Sequence, residues 1–216
     1  MLEAENTSDK SSFPDEVLIQ STDQTETTID YSHVAYPPGG VLIWIVIYLE
    51  LVTFGMAILA LAYYGNQERT LFHESSMHLN RFIGTINTIF LLTSGLFVAL
   101  GVNAFKAKKH LLAARWFHFA VWGGLGFLVL KMFEYYQKLE AGLTMDYNSF
   151  FTFYWLLTAF HWIHVLVGMV ILLIIRRTIV KKQAAASLED IEAGAAFWHM
   201  CDLVWLLLYP MLYLLF

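Results

Sequence analysis

One cysteine, Cys201, occurs in 216 residues, so no disulfide forms within the chain. There is no second thiol for a binuclear copper or iron–sulfur centre. The sequence has no adjacent histidine pair, no His-x-x-x-Tyr, no glycine-rich phosphate loop and no nucleophile–base motif. Charge is also scarce, at 14% Asp, Glu, Lys and Arg, and the net charge of -5 comes mainly from the amino-terminal segment. These absences argue against a catalytic, cofactor or metal centre of the chain's own. Nucleic acid is not among the expected partners.

What is abundant is apolar: 58% hydrophobic and 16% aromatic residues, with a mean hydropathy of +0.56. That balance belongs to an integral membrane protein. Five long apolar segments follow one another, at about 41–64, 79–105, 113–137, 148–175 and 195–216, each sufficient for a helical span. None alternates as a barrel strand does. The expected fold is all-α, a polytopic bundle of five transmembrane helices. Tyr63, Tyr64, Trp116, Tyr147, Tyr154 and Trp198 lie toward predicted ends and are expected as interfacial anchors. Residues 1–36 are rich in Ser, Thr, Asp, Glu and Gln with Lys10 the only base, which predicts a disordered acidic tail. This segment lacks a signal peptide's basic start and apolar run, so it is expected to stay on the mature protein. Lys106, Lys108, Lys109 and Arg115 follow the second span, and Arg176, Arg177, Lys181 and Lys182 the fourth. The positive-inside rule therefore predicts a cytoplasmic amino terminus and a periplasmic Phe216.

Polar residues inside the spans are the candidate functional positions, because each must face protein or find a partner. Glu50 sits near the middle of the first span and is expected as a neutral, hydrogen-bonded carboxyl; proton exchange is the competing reading. Gly84, Asn87, Leu91, Ser94, Val98 and Gly101 recur at helical spacing and predict a packing seam in which Asn87 hydrogen-bonds a neighbour. Gly123, Gly124 and Gly126 predict close packing of the third span. Lys131 and Glu134, one turn apart, are expected as an interfacial pair of small energetic weight, and His118 as a hydrogen-bonded interior residue. His161, His164 and Gly168 share a face of the fourth span. With Glu134, His199 and Asp202 they invite a metal reading, against which interhelical hydrogen bonding is the default. In the last span Trp198, His199, Asp202 and Trp205 share one broad face, and His199 and Asp202 are expected to fix this span against the fourth.

The ending W-H-x-x-D-x-x-W with its apolar tail resembles the last helix of haem-copper oxidase subunit III. The resemblance extends to Glu50, NTIFLLTSG at Asn87 to Gly95, FEYYQKLEAG around Glu134, FHWIHVLVG around His161 and His164, and FWHMCDLVW. Their order and spacing match over nearly all of residues 41–216. Five spans resemble the short bacterial form, without the first two helices of the seven-span form that border a lipid-holding cleft. Gly101-Val102-Asn103 departs from the family, where histidines are frequent. WHMCDLVWLLLYPMLYL and VLKMFEYYQKL look most like the NorE-type relatives associated with bacterial nitric oxide reductases. The resemblance implies an accessory, non-redox subunit in the bacterial inner membrane, supporting assembly, stability and sustained turnover. Its partner would be the catalytic subunit I of an oxidase or nitric oxide reductase, which carries haem with copper or non-haem iron. Membrane lipids, including bound phospholipid, complete the expected partners. The rival reading is a proton- or metal-handling membrane protein acting alone, built on Glu50, Glu134, His161, His164 and Asp202.

Overall fold

In the computed structural model, residues 39–181 and 186–216 are described; the tail expected over 1–36 and Lys182 lie outside them. The order is α1 (Val41–Gln67), α2 (Arg69–Ser76), α3 (Arg81–Lys106), α4 (His110–Glu140), α5 (Ser149–Lys181) and α6 (Leu188–Tyr213), with no strand among the described residues. Every helix but α2 is long and apolar enough to cross a bilayer.

Local chemistry sets the ends. Asn80 caps α3 by accepting from the backbone amides of Phe82 and Ile83 at 3.0 and 3.2 Å. The last helix starts at Leu188, earlier than hydropathy suggests. Ser187 Oγ accepts from Asp190 N at 3.0 Å, and Glu189 and Asp190 fill the first turn, where the helix dipole favours anions. Helices α3 and α4 both end with a residue at positive φ, Lys108 (59°) and Gly142 (71°). The following amides fold back, Lys109 N to Ala104 O and Leu143 N to Lys138 O, each at 2.9 Å. These are paired Schellman closures, which satisfy carbonyls that the helix leaves open. The short α2 escapes a hydropathy reading because it is eight residues long and amphipathic. It buries Phe72, whose ring meets Phe150 at 5.4 Å and Phe216 at 5.1 Å.

The bundle closes on α6, the most buried of the spans. The α3 seam lies inside as its spacing predicts, with Gly84, Asn87, Leu91, Ser94, Val98 and Gly101 all buried. Ser94 Oγ donates to Ala120 O of α4 at 2.7 Å. Trp198 of α6 is keyed between two helices by glycines. A Cβ on Gly124 of α4 would stand 2.6 Å from its indole, and one on Gly168 of α5 2.9 Å. Trp198 and Tyr154, expected as interfacial anchors, are instead fully buried core; Tyr63, Tyr64 and Tyr147 are exposed, as anchors are. Position along the axis tells depth in the membrane, and only the helix face tells burial. Helix α1 is the least buried span. It packs on α6 and α5, not substantially on its sequence neighbour α3.

Candidate functional site

Three polar clusters lie among these helices. The deepest joins α4, α5 and α6. Lys131 Nζ donates to Glu134 Oε2 at 3.1 Å, Tyr154 OH at 3.2 Å and Tyr213 OH at 2.8 Å. Both phenols donate to Glu134 Oε1, Tyr154 at 2.9 Å and Tyr213 at 2.6 Å. The rings of Tyr135, Tyr154, Trp205 and Tyr213 surround the ammonium, their centroids 4.7 to 5.4 Å from it. All three ammonium protons and both carboxylate oxygens are therefore occupied, and the two charges neutralise each other in a site without solvent. The pair expected from the sequence forms, and it is fully buried within the bundle. Spacing shows that two side chains meet, but the tyrosines that enclose them come from α5 and α6.

The second cluster joins α1 to α5. Glu50 Oε2 lies 3.2 Å from His164 Nε2, near enough for an ion pair though not aligned for a hydrogen bond. The opposite ring nitrogen, Nδ1, is 2.8 Å from Phe160 O. A carbonyl only accepts, so Nδ1 carries a proton and Nε2 meets Glu50. One further proton between Nε2 and Oε2 leaves the pair neutral overall, as acid with imidazole or as carboxylate with imidazolium. The basic neighbour of Glu50 is a histidine from a helix far along the chain.

The third cluster lies on α6. His199 Nδ1 stands 3.4 Å from Asp202 Oδ2. A Cβ on Gly95 would fall 2.0 Å from that same oxygen. Asp202 therefore seats against α3, not against α5 as expected, and the glycine makes room for it. His199 departs from the broad face predicted for it: its side chain is 46% exposed, while Trp198, Asp202 and Trp205 point inward.

The remaining positions do not hydrogen-bond as expected. His161 is fully buried, with neither ring nitrogen partnered. It stacks on Trp205 at 5.3 Å and meets the edges of Phe127 at 5.7 Å and Phe54 at 6.2 Å. Asn87 is buried with both amide atoms unpartnered, so its predicted bond to a neighbour is absent. His118 does bond, accepting from Trp122 Nε1 at 3.1 Å, but on the exposed face of α4. The structure thus divides the candidate metal set. Glu134 is enclosed by Lys131 and two tyrosines, His164 meets Glu50, and His199 meets Asp202. Among the described residues no three His, Cys, Asp or Glu side chains gather. Sequence reasoning missed Tyr154 and Tyr213 as partners of Glu134; the only available signal was their polar tips at the ends of spans.

A family profile described as cytochrome c oxidase subunit III matches residues 77–215, covering α3 to α6 and leaving α1 with Glu50 outside the match. The chain is 31% identical over 144 residues to cytochrome c oxidase subunit 3 of Synechocystis sp., covering 66% of this chain and 60% of that protein. It is 28% identical over 141 residues to the Corynebacterium diphtheriae protein of the same name, covering 65% and 69%. The Drosophila melanogaster protein of that name is 32% identical over 132 residues, covering 61% and 49%. The chain thus spans 49% to 69% of the length of these relatives. With the seam of α3, the Glu134 network and the keyed Trp198 all inside the matched stretch, the chain belongs to the cytochrome c oxidase subunit III family.

Proposed function

We propose that this protein is an accessory, non-redox subunit of a bacterial haem-copper oxidase or of the related nitric oxide reductase. It sits in the inner membrane and docks on a catalytic subunit I that holds haem with copper or non-haem iron. Its role is to support assembly, stability and sustained turnover of that partner. The family match across four of five spans carries the reading. The packing supports it: the Lys131–Glu134 group satisfies itself within the chain, as befits a scaffold. The NorE-like sequence features favour a nitric oxide reductase complex within this class. The acidic segment 1–36 is a cytoplasmic tail, and residues 37–216 form the membrane domain.

The experiment is affinity purification from native membranes, with spectra and peptide identification on the same fraction. The expected outcome is copurification of one haem-bearing, multi-histidine membrane subunit, and no haem absorbance in the separated, washed chain. Stoichiometric haem in the separated chain, or consistent purification without such a partner, overturns the reading. A second reading, proton exchange by this chain, is favoured by one observation, the Glu50–His164 contact at 3.2 Å.

A further inference from the structure

One side of α6 stays uncovered in the bundle. His199, Leu203, Leu206 and Pro210 are exposed, and their spacing of three to four residues sets them in a single stripe along the helix. On one flank α3 approaches through Gly84, where a Cβ would meet Tyr209, and through Gly95, where it would meet Asp202. On the other flank the α1 segment closes on α6 near both ends, with Gly39 beside Ala193 and Gly65 beside Phe216. Helices α1 and α3 do not pack substantially on each other. The stripe is therefore the floor of a groove between them.

This groove holds a polar point at a level where a bilayer offers nothing polar. His199 stands near the middle of α6, at the depth of the acyl chains. Its Nδ1 faces Asp202 Oδ2, and its Nε2 has no hydrogen-bond partner among the described residues. Asp202 Oδ1 is also unpartnered, and it is buried. Acyl chains neither donate nor accept, so a half-exposed ionisable group at this depth belongs against protein. The leucines beside it call for apolar packing, and a transmembrane helix carrying one hydroxyl or amide meets both demands. A second copy of this chain does not fit. Two-fold symmetry would bring two recessed floors face to face, held apart by their own α1 and α3. We infer that the groove between α1 and α3 receives one transmembrane helix of the catalytic partner, whose hydroxyl or amide side chain hydrogen-bonds His199 Nε2. The inference rests on the proposed function and adds to it the docking face.

The test places a benzophenone photocrosslinker at Leu203 of the full chain in native membranes, and separately at Val129 on the exposed face of α4. Irradiation should join Leu203, and not Val129, to a transmembrane peptide of the copurifying haem-bearing subunit. His199→Leu should lower the haem retained per chain about threefold, the weight of one interhelical polar link. His199→Gln keeps a donor and an acceptor and should lose less. Copurification without a Leu203 adduct, or with equal adducts from both positions, overturns the inference and leaves the proposed function intact. Adducts that join only two copies of this chain overturn it as well. So does haem retention that is unchanged in His199→Leu or falls equally in both variants. If no haem-bearing subunit copurifies, the proposed function and the inference fall together.

Discussion

Lys131 shows how strongly a single residue depends on its surroundings in this fold. Its charge is tolerable because Glu134 neutralises it and two phenols complete its hydrogen bonds. Lys131→Met removes only one side and leaves a buried carboxylate facing two tyrosines, which should cost about 3–5 kcal/mol. Lys131→Met with Glu134→Gln should cost clearly less than that single change, because no charge is stranded. Thermal denaturation in a fixed detergent measures both, and equal losses would reject the coupling. Glu50 poses the complementary case. Gln in its place keeps a polar group of the same shape beside His164, so assembly and turnover should stay near normal. Glu50→Leu removes the carboxyl that faces Nε2 at 3.2 Å, at about 0–1 kcal/mol for a partly exposed pair. Should Gln retain assembly yet shorten turnover as severely as Leu, the proton at this pair is functional. At this scale the sequence marked the polar residues well, since an ionisable group in a span stands out. It did not supply their partners: Tyr213 and His164 reach Glu134 and Glu50 from distant helices, and one-dimensional spacing carries no such information.

Between helices, size matters more than polarity. Gly124 and Gly168 admit the Trp198 indole, and Gly95 admits Asp202. A methyl group on Gly124 has nowhere to go, because a close-packed core does not shift without strain. Gly124→Ala should therefore lower stability by about 1–3 kcal/mol. Gly55, in the middle of α1, faces open space. There Ala should be neutral or stabilising by up to about 1 kcal/mol through helix propensity. Melting temperatures of the two variants side by side decide the matter; a matched loss at both positions would show that packing against Trp198 is not the cause. The five spans and the α3 seam were legible because length, hydropathy and small-residue spacing are local properties. Helix α2 was not, since eight amphipathic residues leave no hydropathy signature. Nor was the inward turn of Trp198 and Tyr154, because aromatic residues near span ends serve equally as anchors or as core.

For the molecule as a whole, the basic clusters after α3 and α5, which share an end of the bundle with the start of α1, predict the orientation. A reporter at Lys108 should behave as cytoplasmic and one after Phe216 as periplasmic; the reverse pattern would reject the orientation. Lys138, in the last turn of α4 at the other end of the bundle, is buried and donates to His78 O. The placement of α1 against α6 and α5 carries a further consequence, for biosynthesis. The ribosome delivers α1 first, yet the surfaces it rests on are translated last, roughly 5–30 s later at ordinary elongation rates. Throughout that interval the nascent helix must wait in lipid or beside an insertase, with Glu50 lacking its histidine. A chain stalled before α5 would expose that lone carboxyl within the bilayer, a mark by which membrane quality control could tell an unfinished copy from a finished one.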